Sequence, residues 1–256
     1  MADNATAEFY DEFWPKNVPH YEETKKYMLA TLSGRKYARA LDAGCGHGLC
    51  AVVLSELADE VVAIDISPSC ITTARQQANH RQRSNVRFSV QDLQKLSEPS
   101  QHFDLVWCWG VAMMAPEPMK VIHQLFRVTQ PGGELYLSLY LKTWLSPVHE
   151  LVRHFCRAFM NTPRRKKWVL LGFTKLTLAI VALRGSQTNA RADNVSIQAQ
   201  VDDWYYPPHK TFYSIEEIIA LCEANGFEAQ CIQDRVGRMR SATIFVIKAV
   251  KRPLRR

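Results

Sequence analysis

The sequence predicts an α/β domain built on a doubly wound, mostly parallel sheet. Three observations predict it. Short β-rich runs alternate with helical stretches through the first half, which is the pattern of stacked βαβ units. Glycines crowd the first junction of strand and helix, in ARALDAGCGHGLCAVVL over residues 38–54. The next apolar run then closes on an acid, Asp65.

The elements follow in order. An N-terminal segment, residues 1–35, carries Phe9, Tyr10 and Trp14 and then a helix around 20–33. Apolar and β-branched runs predict strands at 40–43, 61–65, 86–90, 103–108 and 134–141. Helices are expected between them, at about 47–57, 68–82 and 117–129. The last of these stops before Pro131-Gly132-Gly133, through which no helix continues. The alternation lapses over 142–213, where helical stretches, a basic cluster and Pro207-Pro208 show no strand pattern. Ser214-Ile215-Glu216-Glu217 reads as a capping box, opening a helix that ends at Gly226. Two closing β runs follow, at 229–234 and 242–250, which makes seven strands. The expected division is a core of 36–141 and 212–250, a helical cap of 142–211 inserted after strand five, and a basic tail of 251–256.

Of the 256 residues 47% are apolar, so the chain reads as globular rather than disordered. Its net charge of +7 is clustered: Arg35, Lys36 and Arg39, then Arg164 to Lys167, then the tail. Solubility explains such clusters, and weak attraction to anionic lipid or nucleic acid is the other reading. Seven cysteines, an odd number with no C-x-x-C pair, argue against a disulfide framework or a metal site and for a reducing, cytoplasmic compartment. The acidic, broken N-terminus is unlike a secretory signal. Trp168 to Leu183, with Lys175 inside it, is too short to span a bilayer. The basic quartet runs straight into this stretch. Residues 164–183 therefore read either as a helix in peripheral contact with a membrane or as a buried cap helix with a solvated basic end. Oligomeric state is not legible.

The glycines raise the question of a ligand. In open α/β sheets ligands bind beyond the carboxyl ends of the strands, where glycine lets the chain turn tightly against them and the next helix offers unpaired amides. Asp65 stands where a carboxylate can accept both hydroxyls of a ribose. A dinucleotide fingerprint, however, needs a small residue where Leu49 stands, and here the third glycine comes one residue early, at Gly48. The pattern is D-x-G-x-G-x-G. The Asp42 carboxylate would repel a pyrophosphate and attract an ammonium or sulfonium group.

These motifs resemble those of class I S-adenosylmethionine-dependent methyltransferases. LDAGCGHG resembles the family's first motif, and Asp65-Ile66 in VVAIDIS its ribose-binding acid. VQDLQKL, with Asp92 and Leu93, resembles the adenine-holding segment; FDLVWCWGV and RVTQPGGELYLS resemble the fourth and fifth strands. The resemblance covers residues 8–141 and 212–250. It implies a Rossmann-like seven-stranded sheet with its last strand antiparallel, S-adenosylmethionine as cofactor and no metal. The cofactor site it implies comprises Asp42, Gly44, Cys45, Gly46, Gly48, Asp65, Ile66, Asp92, Leu93 and Trp109. Tyr10 joins them, reaching the methionine carboxylate from an N-terminal segment folded over the donor, with a packing role as the alternative.

The acceptor is harder to read. Methyl transfer is an in-line displacement that depends mainly on alignment, and a base is needed only for a protonated acceptor. Family members that methylate bases carry Asn/Asp-Pro-Pro-Tyr after the fourth strand, where this chain has Cys108-Trp109-Gly110-Val111. The resemblance therefore points to the small-molecule type, including quinone and natural-product methyltransferases, with a hydrophobic or aromatic acceptor at O, N or C. Many of these carry Gly-Val-Leu-His-His where Gly110-Val111-Ala112-Met113-Met114 stands, so that wall becomes apolar unless the methionines simply pack the core. The aromatic run 202–213 supplies the candidate acceptor-side bases, His209 first, then Tyr206 or Tyr213, with His149 behind them; hinging the cap is their alternative role. A nucleic-acid methyltransferase and a non-catalytic S-adenosylmethionine-binding protein are the competing functions.

Overall fold

The structure is a computed structural model that describes residues 4–13, 21–160, 162, 164–169, 171–172, 202, 204–236 and 244–253. Two helices, α1 (Asn4–Phe13) and α2 (Tyr21–Leu32), precede the sheet. Strands β1 (Tyr37–Ala43), β2 (Ala58–Asp65), β3 (Val86–Val90), β4 (Phe103–Trp109) and β5 (Thr129–Leu141) then alternate with α3 (Leu49–Leu54), α4 (Pro68–His80) and α5 (Pro118–Val128). After α6 (Ser146–Phe159) and the helical run 164–169 come β6 (Phe212–Tyr213), α7 (Ile215–Ala224), β7 (Phe227–Val236) and β8 (Ile244–Lys251).

The sheet order is β3-β2-β1-β4-β5-β8-β7, with β6 pairing β5. Strands β1 to β5 run parallel, and β8 lies antiparallel between β5 and β7. The antiparallel last strand matches the expectation. The strand count does not: among the described residues the sheet has eight strands, because Phe212 and Tyr213 extend alongside Tyr140 and Leu141. Two residues are too few to show a period in sequence. β5 also starts earlier than predicted. It passes through Pro131-Gly132-Gly133 on an irregularity, where the register against β4 shifts between Phe103 and Leu105. A Cβ at Gly133 would lie 2.9 Å from the carbonyls of both Gln130 and Phe103, so only glycine lets the strand continue there.

Alternation along the strands sends successive side chains to opposite faces. Leu41, Ala43, Val106, Leu135 and Ile247 pack under α5 and α7, through Ile122, Leu125, Ile218 and Cys222. Ala40, Val61, Leu105, Trp107 and Tyr136 pack under α2, α3 and α4, through Met28, Val52 and Ala74. Asp42, between Leu41 and Ala43, therefore faces the second layer.

Capping fixes the helices beside the cavity. Ser67 caps α4, accepting from the Cys70 amide at 3.0 Å, with Pro68 in the first turn. The Ser214–Glu217 capping box opens α7 as expected. α2 is tied down at Glu56, which accepts from Tyr21 Oη at 3.0 Å, Lys25 Nζ at 2.7 Å and Arg83 at 2.6 Å. α1 is tied to the start of α4, where the Asp11 carboxylate accepts from the Ser67 hydroxyl and from Ser69 Oγ at 2.6 Å. Among the described residues no helix is long and apolar enough to cross a membrane.

Candidate functional site

At the end of β1 the chain turns through Gly44, Gly46 and Gly48, all with positive φ. Two of them also admit a close neighbour. A Cβ on Gly44 would lie 2.4 Å from the Val111 side chain, and one on Gly48 2.7 Å from Ala74 Cβ. The loop amides point inward. Gly44 and Cys45 donate to the Ile64 carbonyl at 2.7 and 2.9 Å, Gly48 to the Cys45 carbonyl at 2.8 Å, and Gly46 to Asp65 Oδ2 at 2.8 Å. The glycines thus serve backbone geometry and close packing first, and these four amides already have acceptors. Asp65 Oδ1 takes the Ser67 amide at 2.9 Å. Asp65 is a clasp between the ends of β1 and β2, and burial raises its pKa against those hydrogen bonds.

Beyond this loop lies a cavity of about 420 Å³ at the carboxyl ends of β1, β2 and β4. Of the predicted positions, Asp42, Gly44, Cys45, Gly46, Asp65, Ile66, Asp92, Leu93 and Trp109 line it. Gly48 does not, because its turn packs on α4. Tyr10 falls within α1, but its side chain lies outside the described residues, as do Trp14 and His20. The cavity also takes residues the sequence did not single out: Thr6 of α1, Thr24, Tyr27 and Met28 of α2, His47, and Trp107 of β4. Helix periodicity marks Met28 as an inward residue. Nothing local says that α1 and α2 fold over the strand ends.

Two side chains define the chemistry of the cavity floor. Asp42 is 1% exposed, and its Oδ2 has no hydrogen-bond partner. Burial, and then the charge of Asp65, pushes its pKa up to about 8. Directly opposite in register on β4 stands Trp107, also 1% exposed, its indole N–H beside the Cys50 thiol. Trp107 stacks on Trp109 at 5.2 Å between ring centroids and an 8° interplanar angle, and Tyr27 meets Trp109 edge-on at 5.0 Å. Asp92 caps a short turn, accepting from the Gln94 amide at 2.9 Å, and Leu93 is buried beside it. Val111, Met114 and Pro116 close the opposite wall, so the expected apolar surface is present in part: Met114 lines the cavity and Met113 packs the core.

The candidate bases lie elsewhere. His209, Tyr206 and Tyr213 are not among the residues lining this cavity. Tyr206 is buried, donating from Oη to the Met160 carbonyl at 3.0 Å with Lys166 over its ring, and burial raises its pKa. Tyr213 sits in β6, its pKa raised by burial and then by Glu217. His209 is half-buried beside Pro207-Pro208, whose carbonyls accept from Arg153 and Arg157 of α6 at 2.9 and 2.6 Å. His149 is packed among Trp204, Tyr205 and Phe212. Burial, and then Lys210, lowers its pKa to about 4, so it is neutral at pH 7. Run 204–213 therefore docks onto α6 and β5, and its Thr211 amide donates to the carbonyl of Met113, the core residue next to cavity-lining Met114, at 3.0 Å.

Comparison with known proteins adds the family. A family model described as a methyltransferase domain matches residues 35–205. A ubiquinone biosynthesis O-methyltransferase of Coxiella burnetii is 30% identical over 122 residues, 48% of this chain and 50% of that protein. One from Xanthomonas oryzae pv. oryzae is 36% identical over 109 residues, 41% and 44% of the two chains. The chain thus spans about half the length of the curated relatives it matches. Among solved structures, the YcgJ protein of Bacillus subtilis superposes with a TM-score of 0.61 at 18% identity, over 90% of this chain and 99% of that one. Magnesium protoporphyrin IX methyltransferase from Synechocystis, with bound SAH, gives 0.53 at 18% identity, over 90% and 81%. At these identities the superpositions speak for the fold alone. The family match runs from the start of β1 to residue 205, across the whole cavity floor, and the chain belongs to the methyltransferase domain family.

Proposed function

We propose that the protein transfers a methyl group from S-adenosylmethionine to a small, apolar or aromatic acceptor. The observation that carries this is Asp42 Oδ2, a buried carboxylate oxygen without a partner at a cavity of nucleoside size. A buried unpaired carboxylate is costly, and a cationic ligand offsets that cost where a diphosphate would add to it. The donor supplies an electrophilic methyl group on a sulfonium. Asp65 keeps lone pairs for ribose hydroxyls while clasping the loop, and Asp92 and Leu93 border the space for the base. Val111, Met114 and Pro116 supply the apolar wall against which an aromatic acceptor would lie.

The curated relatives are named as O-methyltransferases of ubiquinone biosynthesis, which supports a hydroxyl on an aromatic ring as the first acceptor to test. The positions of His209, Tyr206 and Tyr213 favour a reaction run by alignment, without a side-chain base from the cap. Isothermal titration is expected to show binding of S-adenosylmethionine and S-adenosylhomocysteine but not NADH. Labelled methyl transfer to a series of phenols and quinols is expected to favour the more apolar members. NADH binding without S-adenosylhomocysteine binding ends this reading.

We infer further that the cap meets anionic lipid. α6 presents Leu151 at 72% exposure, with Val148, Phe155 and Phe159 on the same helical spacing, and Trp144 in the turn just before it is 85% exposed. Arg157, Arg164, Arg165 and Lys167 are exposed beside this face, and Trp168 and Leu171 extend it. An apolar stripe edged by cations fits a bilayer surface with negative headgroups. Co-flotation with anionic but not neutral liposomes is the expected result. A stable dimer in solution with no flotation overturns it.

A further inference from the structure

The turn of residues 110–116, which supplies the apolar wall of the cavity, is held at two points. At its start the Gly110 amide donates to Ser138 Oγ of β5 at 2.7 Å, a fixing inside the sheet. In its middle the Met113 carbonyl accepts from the Thr211 amide at 3.0 Å. Val111, Met114, Ala115 and Pro116 of this turn line the cavity, so both points bear on its shape.

The second point holds only as well as the run that carries Thr211 is held. Next to Thr211, Lys210 is buried at 7% exposure. Its Nζ lies 4.1 Å from the centre of the Trp204 ring and 4.2 Å from that of Tyr140, with Phe212 at 6.0 Å. It also donates to the Trp204 carbonyl at 3.4 Å. Tyr140 belongs to the end of β5, and Trp204 and Phe212 belong to the run, so one ammonium joins the run to the sheet. Burying an ammonium is costly, and ring faces and a carbonyl offset that cost at one position and not at others nearby. An apolar side chain there would pack the rings but leave the run free to slide, because apolar contact is non-directional.

Resting on the proposed acceptor, we infer that Lys210 is a positioning residue for acceptor recognition. Caged by Trp204 and Tyr140, it fixes Thr211 against Met113 and so sets where Val111 and Met114 meet the acceptor. Lys210 itself does not line the cavity. The donor's side of the cavity, with Asp42 and Asp65, is built on β1 and β2 and owes nothing to this contact. Lys210 therefore acts on the acceptor and leaves the donor alone.

Two variants of the full-length protein test this: K210L removes the charge, and K210R keeps a cation. Amide exchange at Thr211 is expected to quicken about 10- to 30-fold in K210L, the range for a desolvated cation–π contact. The Met114 methyl resonance, assigned by its loss in M114L, should move in the same variant. With the best phenol of the acceptor series, KM should rise about tenfold while kcat stays within about threefold and S-adenosylhomocysteine affinity within about twofold, the pattern of lost acceptor binding. K210R should restore most of each change. Unchanged Thr211 exchange in K210L overturns the inference. So does a joint loss of acceptor and S-adenosylhomocysteine binding, which assigns Lys210 to stability alone. Should K210L fail to fold, W204F decides, since Phe offers a weaker face to the ammonium than Trp. Smaller changes in the same signals are then expected, and no change overturns the inference. If the unaltered protein methylates no phenol or quinol, the proposed function has failed, a distinct result, and Thr211 exchange and the Met114 signal still decide the role of Lys210.

Discussion

Asp42 is the residue on which most turns, because its folded pKa of about 8 stands above the ordinary value of 3.8. A carboxyl group raised in this way costs stability progressively as pH rises from about 4 to about 8, since the unfolded chain gives up that proton first. Around it, burial raises Asp65 and the thiols of Cys45 and Cys50 and lowers His47, so these neighbours add no compensating cation. Two outcomes are expected. D42N should melt about 3 °C or more higher than the native chain at pH 9, while weakening S-adenosylhomocysteine. In the native chain, ligand binding at pH 7 should release a proton, visible as a dependence of calorimetric heat on the ionisation enthalpy of the buffer. At the same scale, His209→Ala is expected to keep turnover within about threefold of native between about pH 6 and 9, in a rate profile on the best acceptor. Asp42, Asp65 and Asp92 were legible in sequence because each belongs to a short local motif at the end of a strand. Trp107 was not, since the letter alone reads as core packing and its place on the cavity floor exists only once β1 and β4 are paired.

Among the elements, α1 matters out of proportion to its contacts. Asp11 fastens it to the first turn of α4, and its pKa is lowered because hydrogen bonds from Ser67 and Ser69 outweigh burial. A carboxylate at a helix N-terminus is also favoured by the helix dipole. Asp11→Ala is expected to free α1, seen as faster amide exchange over residues 4–13, and to weaken S-adenosylhomocysteine about threefold, because Thr6 of α1 lines the cavity. The sequence placed a helical segment near residues 20–33 and helical stretches after strand five, and helices α2 and α6 stand at those positions. It could not show that Pro207-Pro208 would lock onto Arg153 and Arg157, because those hydrogen bonds join residues some fifty positions apart. That docking is the physical reason the aromatic run stands away from the cavity. The part of the expected membrane-facing segment beyond residue 172 lies outside the described residues, whereas the exposed face of α6 lies before it and showed itself only in three dimensions.

Across the whole molecule, the sheet is secured at the end opposite the cavity by Glu134, which is 3% exposed. It accepts from Tyr37 Oη at 2.8 Å and Lys248 Nζ at 2.8 Å, and Arg35 pairs with the same carboxylate. One side chain thereby joins β1, β5 and β8. Burial alone would raise its pKa, but the hydrogen bonds from Lys248 and Tyr37 prevail and hold it below the ordinary 4.5. Its contribution is therefore complete above about pH 4.5 and is lost as acid protonates it. Glu134→Ala is expected to cost about 1.5–3 kcal/mol in urea unfolding at pH 7, the range for losing hydrogen bonds to a charged group, with the difference shrinking at low pH. The order of strands was legible because hydrophobic period and turn residues repeat through the first half. The bonds at Glu134 were not, since they depend on β8 being threaded between β5 and β7.

The ladder of rings formed by Tyr27, Trp109, Trp107 and Tyr136 runs from the wall of the cavity into the core. Two parallel indoles that close share their excited state, and whatever enters beside them alters how they emit light. The molecule therefore carries its own optical gauge of occupancy, and libraries of unlabelled aromatic alcohols can be screened against it by intrinsic fluorescence before any product is sought.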